Sequence, residues 1–312
     1  MPESCSIHEA LPHSQAAASP GAPLRVFVAT DLSELGMEAV RRGHEIALSA
    51  GGRLAVCHVQ EPHDRRTRRL RSSEQWRVFG PPGDPGVARL ELDGTIGWVT
   101  GRRPEDLDVF IERGSPAEEI LRGARRWKSD LIVLAGRQRR FLLGMLGSVT
   151  ERVVRCAPCP VLVVKSGSGA GGVLAATDLT DPSFPVVRAG AREARRSGLP
   201  LTVVHAIPFV PTGMLRGHAV GSLSPMGRGD LRRAFRGQLD GALDALSVKA
   251  EVRVEDGEPA DVVARLGEAL SAALVVVGTR ARGGFWRLLL GSVAEEIVSA
   301  APCSVLVVRL AA

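Results

Sequence analysis

No stretch of the 312-residue chain approaches the ~18 consecutive apolar residues that a bilayer-spanning helix needs, although apolar side chains make up 45% of it. No transmembrane helix is expected, and a chain of this length fits two compact domains that each bury a core. Cysteine is scarce: Cys5, Cys57, Cys156, Cys159 and Cys303 are an odd number scattered over the chain. Met1 to Pro20 lacks the basic start and apolar stretch of an export signal, so residues 1–22 read as a flexible tail. A reduced, cytoplasmic protein is the expectation. Lysine is nearly missing, with Lys128, Lys165 and Lys249 the whole supply; no lysine follows Gly147 or Gly291, which excludes a P-loop kinase or ATPase.

The net charge of +6 is concentrated in the first half, where residues 23–166 carry 24 basic against 18 acidic side chains, compared with 16 against 14 in 167–312. Its densest part is Arg65, Arg66, Arg68, Arg69 and Arg71. Such a cluster attracts phosphate backbones by counterion release, but no aromatic side chains interleave with it as a stacking platform requires. It reads as a solvated face, and no nucleic-acid partner is expected.

The chain repeats itself at a spacing of 142 to 147 residues. Val26 to Ser33 (VFVATDLS) answers Val173 to Thr180 (VLAATDLT), each an apolar run ending in a Thr-Asp pair. Leu54 to Val59 answers Leu201 to Ala206, Gly114-Ser115-Pro116-Ala117 answers Gly257-Glu258-Pro259-Ala260, and Leu131 to Gly136 answers Leu274 to Gly278. Ala157 to Val164 answers Ala301 to Val308.

Continuous Val/Ile/Leu runs of this kind mark parallel strands buried on both faces. Helical composition lies between them over 34–48, 117–127, 241–246 and 261–271, with Pro116 and Pro259 where a first helical turn accepts proline. Strand and helix alternate in both copies, so the fold class is α/β: two tandem doubly wound, Rossmann-like, five-stranded parallel sheets with strand order 3-2-1-4-5. The expected boundaries are a first domain over 23–166, a Gly-rich linker over 167–172 and a second domain over 173–312. The linker happens to spell Gly-x-Gly-x-x-Gly, but it precedes a strand rather than the helix that would hold a pyrophosphate.

In an open parallel sheet, ligands bind beyond the carboxyl ends of the strands where strand order reverses. The first strands end at Asp31 and Asp178, and the fourth at Gly136 and Gly278, followed by basic loops and then Gly147-Ser148 or Gly291-Ser292. Ser148-Val149-Thr150-Glu151 and Ser292-Val293-Ala294-Glu295 have the form of a capping box, which predicts helix starts there. A helix N-terminus facing the crevice favours phosphate, and Arg280 and Arg282, or Arg137, Arg139 and Arg140, add positive charge. Read only as sequence, the serines can equally be plain caps and the glycines plain turn residues.

Gly278-Thr279-Arg280-Ala281, nine further residues, then Gly291-Ser292-Val293 resembles the Gly-x-x-Gly, nine residues, Gly-Ser/Thr motif of the universal stress protein family. The Thr-Asp strand ends, the His58-Val59 and His205-Ala206 strand ends, the Gly-x-Pro turns and the two Ala-Pro-Cys final strands are similar to that family in order and spacing, over nearly everything after residue 22. The resemblance implies an adenine-nucleotide partner, ATP with or without magnesium, held with adenine near the first two strand ends and phosphates on the glycine loop and last helix. Carried over, it implies Ala176, Thr177, Asp178, Ala206, Val277, Gly278, Arg280, Ala281, Gly291, Ser292 and Val293 in the second copy. In the first it implies Ala29, Thr30, Asp31, Val59, Ala135, Gly136, Gly147, Ser148 and Val149. Ala281 replaces the motif's second glycine, and in the first copy Arg139 stands there on a loop two residues shorter, so the second copy is the expected binder. The resemblance also implies pairing of the two copies within the chain through their last strands, with homo-oligomers of chains beyond that.

No catalytic constellation is evident. His58 and His205 lie in apolar strands, where a histidine satisfied by structure is the ordinary outcome, and Cys156 has no counterpart opposite it in the second copy, where Ala300 stands. The first strand does not lead into the Ser-Gly-Gly-x-Asp-Ser loop of an ATP-pyrophosphatase. A regulatory or stress-response protein that binds ATP without being a dedicated enzyme is expected, with a regulatory scaffold that binds no nucleotide as the alternative.

Overall fold

The computed structural model describes residues 23–61, 85–103, 106–136, 147–167, 169–180, 184–208, 227–279 and 292–309. The expected tail, the arginine cluster of residues 65–71, and the loops on either side of Arg139 and Arg282 lie outside them. The chain divides into two compact units, the first running to Lys165 and the second starting at Ser166.

Unit 1 contains β1 (Arg25–Thr30), α1 (Glu34–Ser49), β2 (Arg53–Gln60), α2 (Pro85–Thr100), β3 (Asp108–Arg113), α3 (Pro116–Arg126), β4 (Leu131–Ala135), α4 (Ser148–Cys156) and β5 (Val161–Val164). Its strands pair in parallel in the order β3-β2-β1-β4-β5, with Val26 opposite both Leu54 and Leu131. Burial on both faces explains the unbroken apolar runs: Val26, Phe27, Val28, Ala55, Val56, Ile132 and Val133 are fully inaccessible.

Local chemistry sets the helix starts. Ser33 caps α1 by accepting from the Gly36 N–H at 3.1 Å. The buried positions Gly36, Ala39, Val40, Gly43, Ile46 and Ala47 then form one face of that helix. Gly43 has to be glycine, because a Cβ there would lie 2.3 Å from Val28 Cγ2. Pro116 opens α3, as its position in the sequence predicts. The helix α2 was not singled out in the sequence, since Gly94 and Gly97 interrupt its apolar period; it is anchored by the fully buried Leu92 and Ile96.

Unit 2 repeats the plan with β6 (Val173–Ala176), α5 (Pro185–Ser197), β7 (Leu201–Ile207), α6 (Arg228–Leu246), β8 (Glu251–Asp256), α7 (Pro259–Ala269), β9 (Leu274–Thr279), α8 (Ser292–Ala300) and β10 (Ser304–Arg309). Its parallel order is β8-β7-β6-β9-β10, with Val173 opposite Leu201 and Leu274. The glycine-rich segment before β6 is more than a spacer. Gly169 and Gly171 donate to Ala272 O and Ser271 O at 3.1 and 2.8 Å, and a Cβ on Gly171 would sit 1.9 Å from Leu270 O. These glycines exist so that backbone can lie on backbone.

Candidate functional site

Strand order reverses between β1 and β4 in unit 1 and between β6 and β9 in unit 2, so each unit has a crevice at the carboxyl ends of those strands. The Thr-Asp pairs build the first wall in the same way twice. Thr30 Oγ1 accepts from Leu32 N–H at 3.1 Å, and Thr177 Oγ1 from Leu179 N–H at 3.1 Å. Asp31 Oδ1 accepts from the Ser33 N–H at 3.1 Å and from its hydroxyl; Asp178 Oδ1 accepts from Thr180 N–H at 3.1 Å and from its hydroxyl at 2.7 Å. Between these locks Leu32 and Leu179 take left-handed φ values of 60° and 61°. A branched residue rarely enters that region, and nothing in the sequence announced it. Both turns present an exposed carboxylate at the end of a buried strand.

The neighbouring strand ends carry the histidines. His58 Nδ1–H donates to Thr30 O at 3.0 Å and His205 Nδ1–H to Thr177 O at 2.9 Å. Each ring thus fixes the carbonyl of the adjoining threonine, and a structural role is their first duty. In unit 2 the ring also meets Phe235 of α6, centroids 4.6 Å apart. Phe235 belongs to the stripe Leu231, Phe235, Leu239, Leu243, a period readable in the sequence but not connected there with the crevice. Val59 and Ala206 follow the histidines, half-buried.

The second wall is the end of β4 or β9. Ala135 is half-buried, and Gly136 is buried with its N–H on Val164 O at 2.8 Å. A Cβ on Gly136 would lie 2.4 Å from Val163 Cγ1, so this glycine serves strand packing. Thr150 Oγ1 donates to Ala135 O at 3.3 Å and ties the first turn of α4 to this wall. The helix begins at Ser148 with Gly147 as its N-cap and no side-chain cap bond, which corrects the capping box expected on Ser148. Ser148 is one residue too far along: it is already helical, so its hydroxyl cannot play the cap. A glycine cap has no side chain to accept the first-turn N–H groups, and among the described residues nothing lies within 4 Å of where a Gly147 Cβ would be. Val149 is half-buried beside the exposed Ser148.

In unit 2 Ala176, Thr177, Asp178, Ala206, Val277 and Gly278 gather at the same end of the sheet, and α8 starts at Ser292 with Val293 exposed. Arg280, Ala281 and Gly291 lie outside the described residues, as does the cap of α8.

Cys57, Cys156, Cys159 and Cys303 are buried thiols outside any disulfide, and burial pushes the Cys57 thiol up to about 12. Among the described residues no three His, Cys, Asp or Glu side chains converge as a metal site would need, and no helix is long and apolar enough to cross a membrane.

Comparison with known proteins agrees with the architecture. The sequence profile of the Universal stress protein family matches residues 24–165 and again 171–309. A universal stress protein of Mycobacterium tuberculosis is 31% identical over 189 residues, 58% of this chain and 62% of that protein. One from Thermus aquaticus is 30% identical over 151 residues, 45% of this chain and 97% of that protein. The chain therefore spans less than two thirds of the mycobacterial relative. Among solved structures, a protein of unknown function from Pseudomonas aeruginosa superposes with a TM-score of 0.64 at 19% identity, covering 92% of this chain and 93% of that one. A universal stress protein from Archaeoglobus fulgidus gives 0.60 at 18%, covering 92% and 97%.

Proposed function

Because the chain belongs to the universal stress protein family, we propose that its second unit binds an adenine nucleotide, ATP with or without magnesium, and that the protein is a regulatory or stress-response component rather than a dedicated catalyst. The observation that carries this reading is the pair of matching Thr-Asp turns. Each is locked by its own hydroxyl and carboxylate and stands at the switch point of its sheet, and in unit 1 the last helix begins close to the opposite wall. A helix N-terminus without a side-chain cap offers N–H groups and a positive dipole end to phosphate. In unit 1 the glycine cap shows how such an opening is made; in unit 2 Gly291-Ser292 repeats the sequence, and the spacing from Gly278 supplies the longer loop. Asp178, Ala206, Gly278, Arg280, Gly291 and Ser292 would bound the site. Slow turnover is all that this arrangement supports, since its histidines already hold backbone carbonyls.

For unit 1 a specific observation favours the alternative of a scaffold without nucleotide: Gly136 is explained by packing against Val163, and its loop is the shorter one. The apolar last strands β5 and β10 support association of the two copies with each other and of chains into oligomers, and cytoplasmic residence fits described cysteines that are buried and outside any disulfide.

Calorimetry with ATP and magnesium on the wild type, Gly291→Glu and Gly147→Glu tests the proposal. Binding is expected in the wild type, lost in Gly291→Glu, where a carboxylate would sit beside the phosphates, and largely kept in Gly147→Glu. Equal binding by wild type and Gly291→Glu would place the nucleotide elsewhere, and no binding by the wild type would leave the scaffold reading.

A further inference from the structure

At the amino ends of the strands, opposite the crevice, the two units differ in a way that each makes visible in the other. In unit 1 the C-cap of α3 is Trp127, only 7% exposed. Its indole packs 6.2 Å from the Phe27 ring, lies under the Arg25 guanidinium at 4.7 Å, and donates its N–H to Asp108 Oδ2 at 3.0 Å. In unit 2 the C-cap of α7 is Leu270, Gly172 precedes β6 where Arg25 opens β1, and Glu251 opens β8 where Asp108 opens β3. The indole and its covering cation are gone, while the carboxylate that received the indole N–H is kept.

The result is a pocket of about 350 Å³ in unit 2, bordered by Gly172, Pro200, Leu201, Lys249, Glu251 and Leu270. That volume is at the lower end of small-molecule sites, roughly 300–1,000 Å³. We propose that this pocket is a second ligand site of unit 2 and takes a small planar aromatic acid with an N–H donor, an indole carboxylate being the simplest. The ring takes the space that Trp127 fills in unit 1, its N–H meets Glu251, and its acid group meets the exposed Lys249, one of three lysines in the chain. Glu251 is not left as a bare repelling charge, because Arg253 pairs with it at 2.6 Å. The site is at the other end of the sheet from Asp178 and Gly278, so it does not share the proposed nucleotide crevice.

Titration of the full-length protein with indole-3-acetate and with uncharged indole, by calorimetry and ligand-observed NMR, tests this. Saturable binding of indole-3-acetate is expected, undisturbed by ATP. Leu270→Trp, which rebuilds the unit 1 filling, should weaken it at least about tenfold. Lys249→Glu, on an exposed side chain, should weaken the acid about two- to fivefold and leave indole unchanged. No saturable binding by the wild type, displacement by ATP, or a Leu270→Trp variant that folds and binds as well as wild type would overturn the proposal. If Leu270→Trp does not fold, an unchanged affinity of Lys249→Glu for the acid overturns it.

Discussion

Two glycines that flank one loop answer to different demands. Gly136 is required by packing, and Gly136→Val should cost about 1–3 kcal/mol of stability, because the new side chain meets Val163 where a bare Cβ is already 2.4 Å away. Gly147 caps a helix, and no atom of the described residues comes within 4 Å of its Cβ position. Gly147→Asp should raise stability by about 0.3–1 kcal/mol, since a carboxylate at that point accepts first-turn N–H groups and sits at the positive dipole end. Urea midpoints of the two variants check both signs. His44 on α1 has an inaccessible Nε2 without a hydrogen-bond partner among the described residues, and its ring is held below its ordinary value near 6.5 by burial first and by Arg102 second. The unfolded chain therefore takes the proton first: stability is complete above about pH 6.5, declines as pH falls below it, and levels off once the folded ring is protonated as well. In His44→Gln that component of the acid slope should disappear from unfolding curves measured between pH 7 and 5.

At the scale of elements, the Thr-Asp turn is the unit that matters. Thr177→Val keeps the branched shape but deletes the acceptor of the Leu179 N–H. A loss of about 1 kcal/mol is expected, with weaker ATP binding if the proposed crevice is occupied, read by thermal unfolding with and without nucleotide. The left-handed Leu179 costs about 1–2 kcal/mol that the turn's hydrogen bonds must offset. Trp127 anchors the end of α3 to the sheet through ring packing, a cation and a hydrogen bond, so Trp127→Ala should lose about 3–5 kcal/mol. Strands β1, β2, β4 and β5 and their counterparts β6, β7, β9 and β10 were legible in the sequence because buried parallel strands write themselves as unbroken apolar runs, and the repeat read each of these twice; the edge strands β3 (DVFIER) and β8 (EVRVED) were not, because charged residues break their runs. Helix α2 was not, since Gly94 and Gly97 erase its period and, among its described side chains, only Leu92 and Ile96 are deeply buried. The crevice was legible as a set of strand ends. The left-handed leucines, the cap on Gly147 and the ring contact of Phe235 with His205 were not, because each depends on a dihedral angle or a neighbour far along the chain.

For the whole molecule, each unit pairs five strands of its own in one parallel order. Fragments 23–166 and 166–312 should each show cooperative far-ultraviolet unfolding, and a fragment that melts without cooperativity would contradict that independence. The central strand of each sheet also imposes a timetable on synthesis. β1 pairs with β4, and the Arg25 N–H reaches Asp130 at a separation of 105 residues. At roughly 5–20 residues per second, a ribosome needs about 5–20 s to deliver the partner after β1 has been made. Throughout that interval one side of the central strand of unit 1 is a nascent edge, and the same wait recurs between β6 and β9. Protease sensitivity of ribosome-stalled chains should accordingly persist until β4 has cleared the exit tunnel and then fall abruptly, making the moment of β4 emergence, rather than total length, the point at which the first half becomes safe from aggregation.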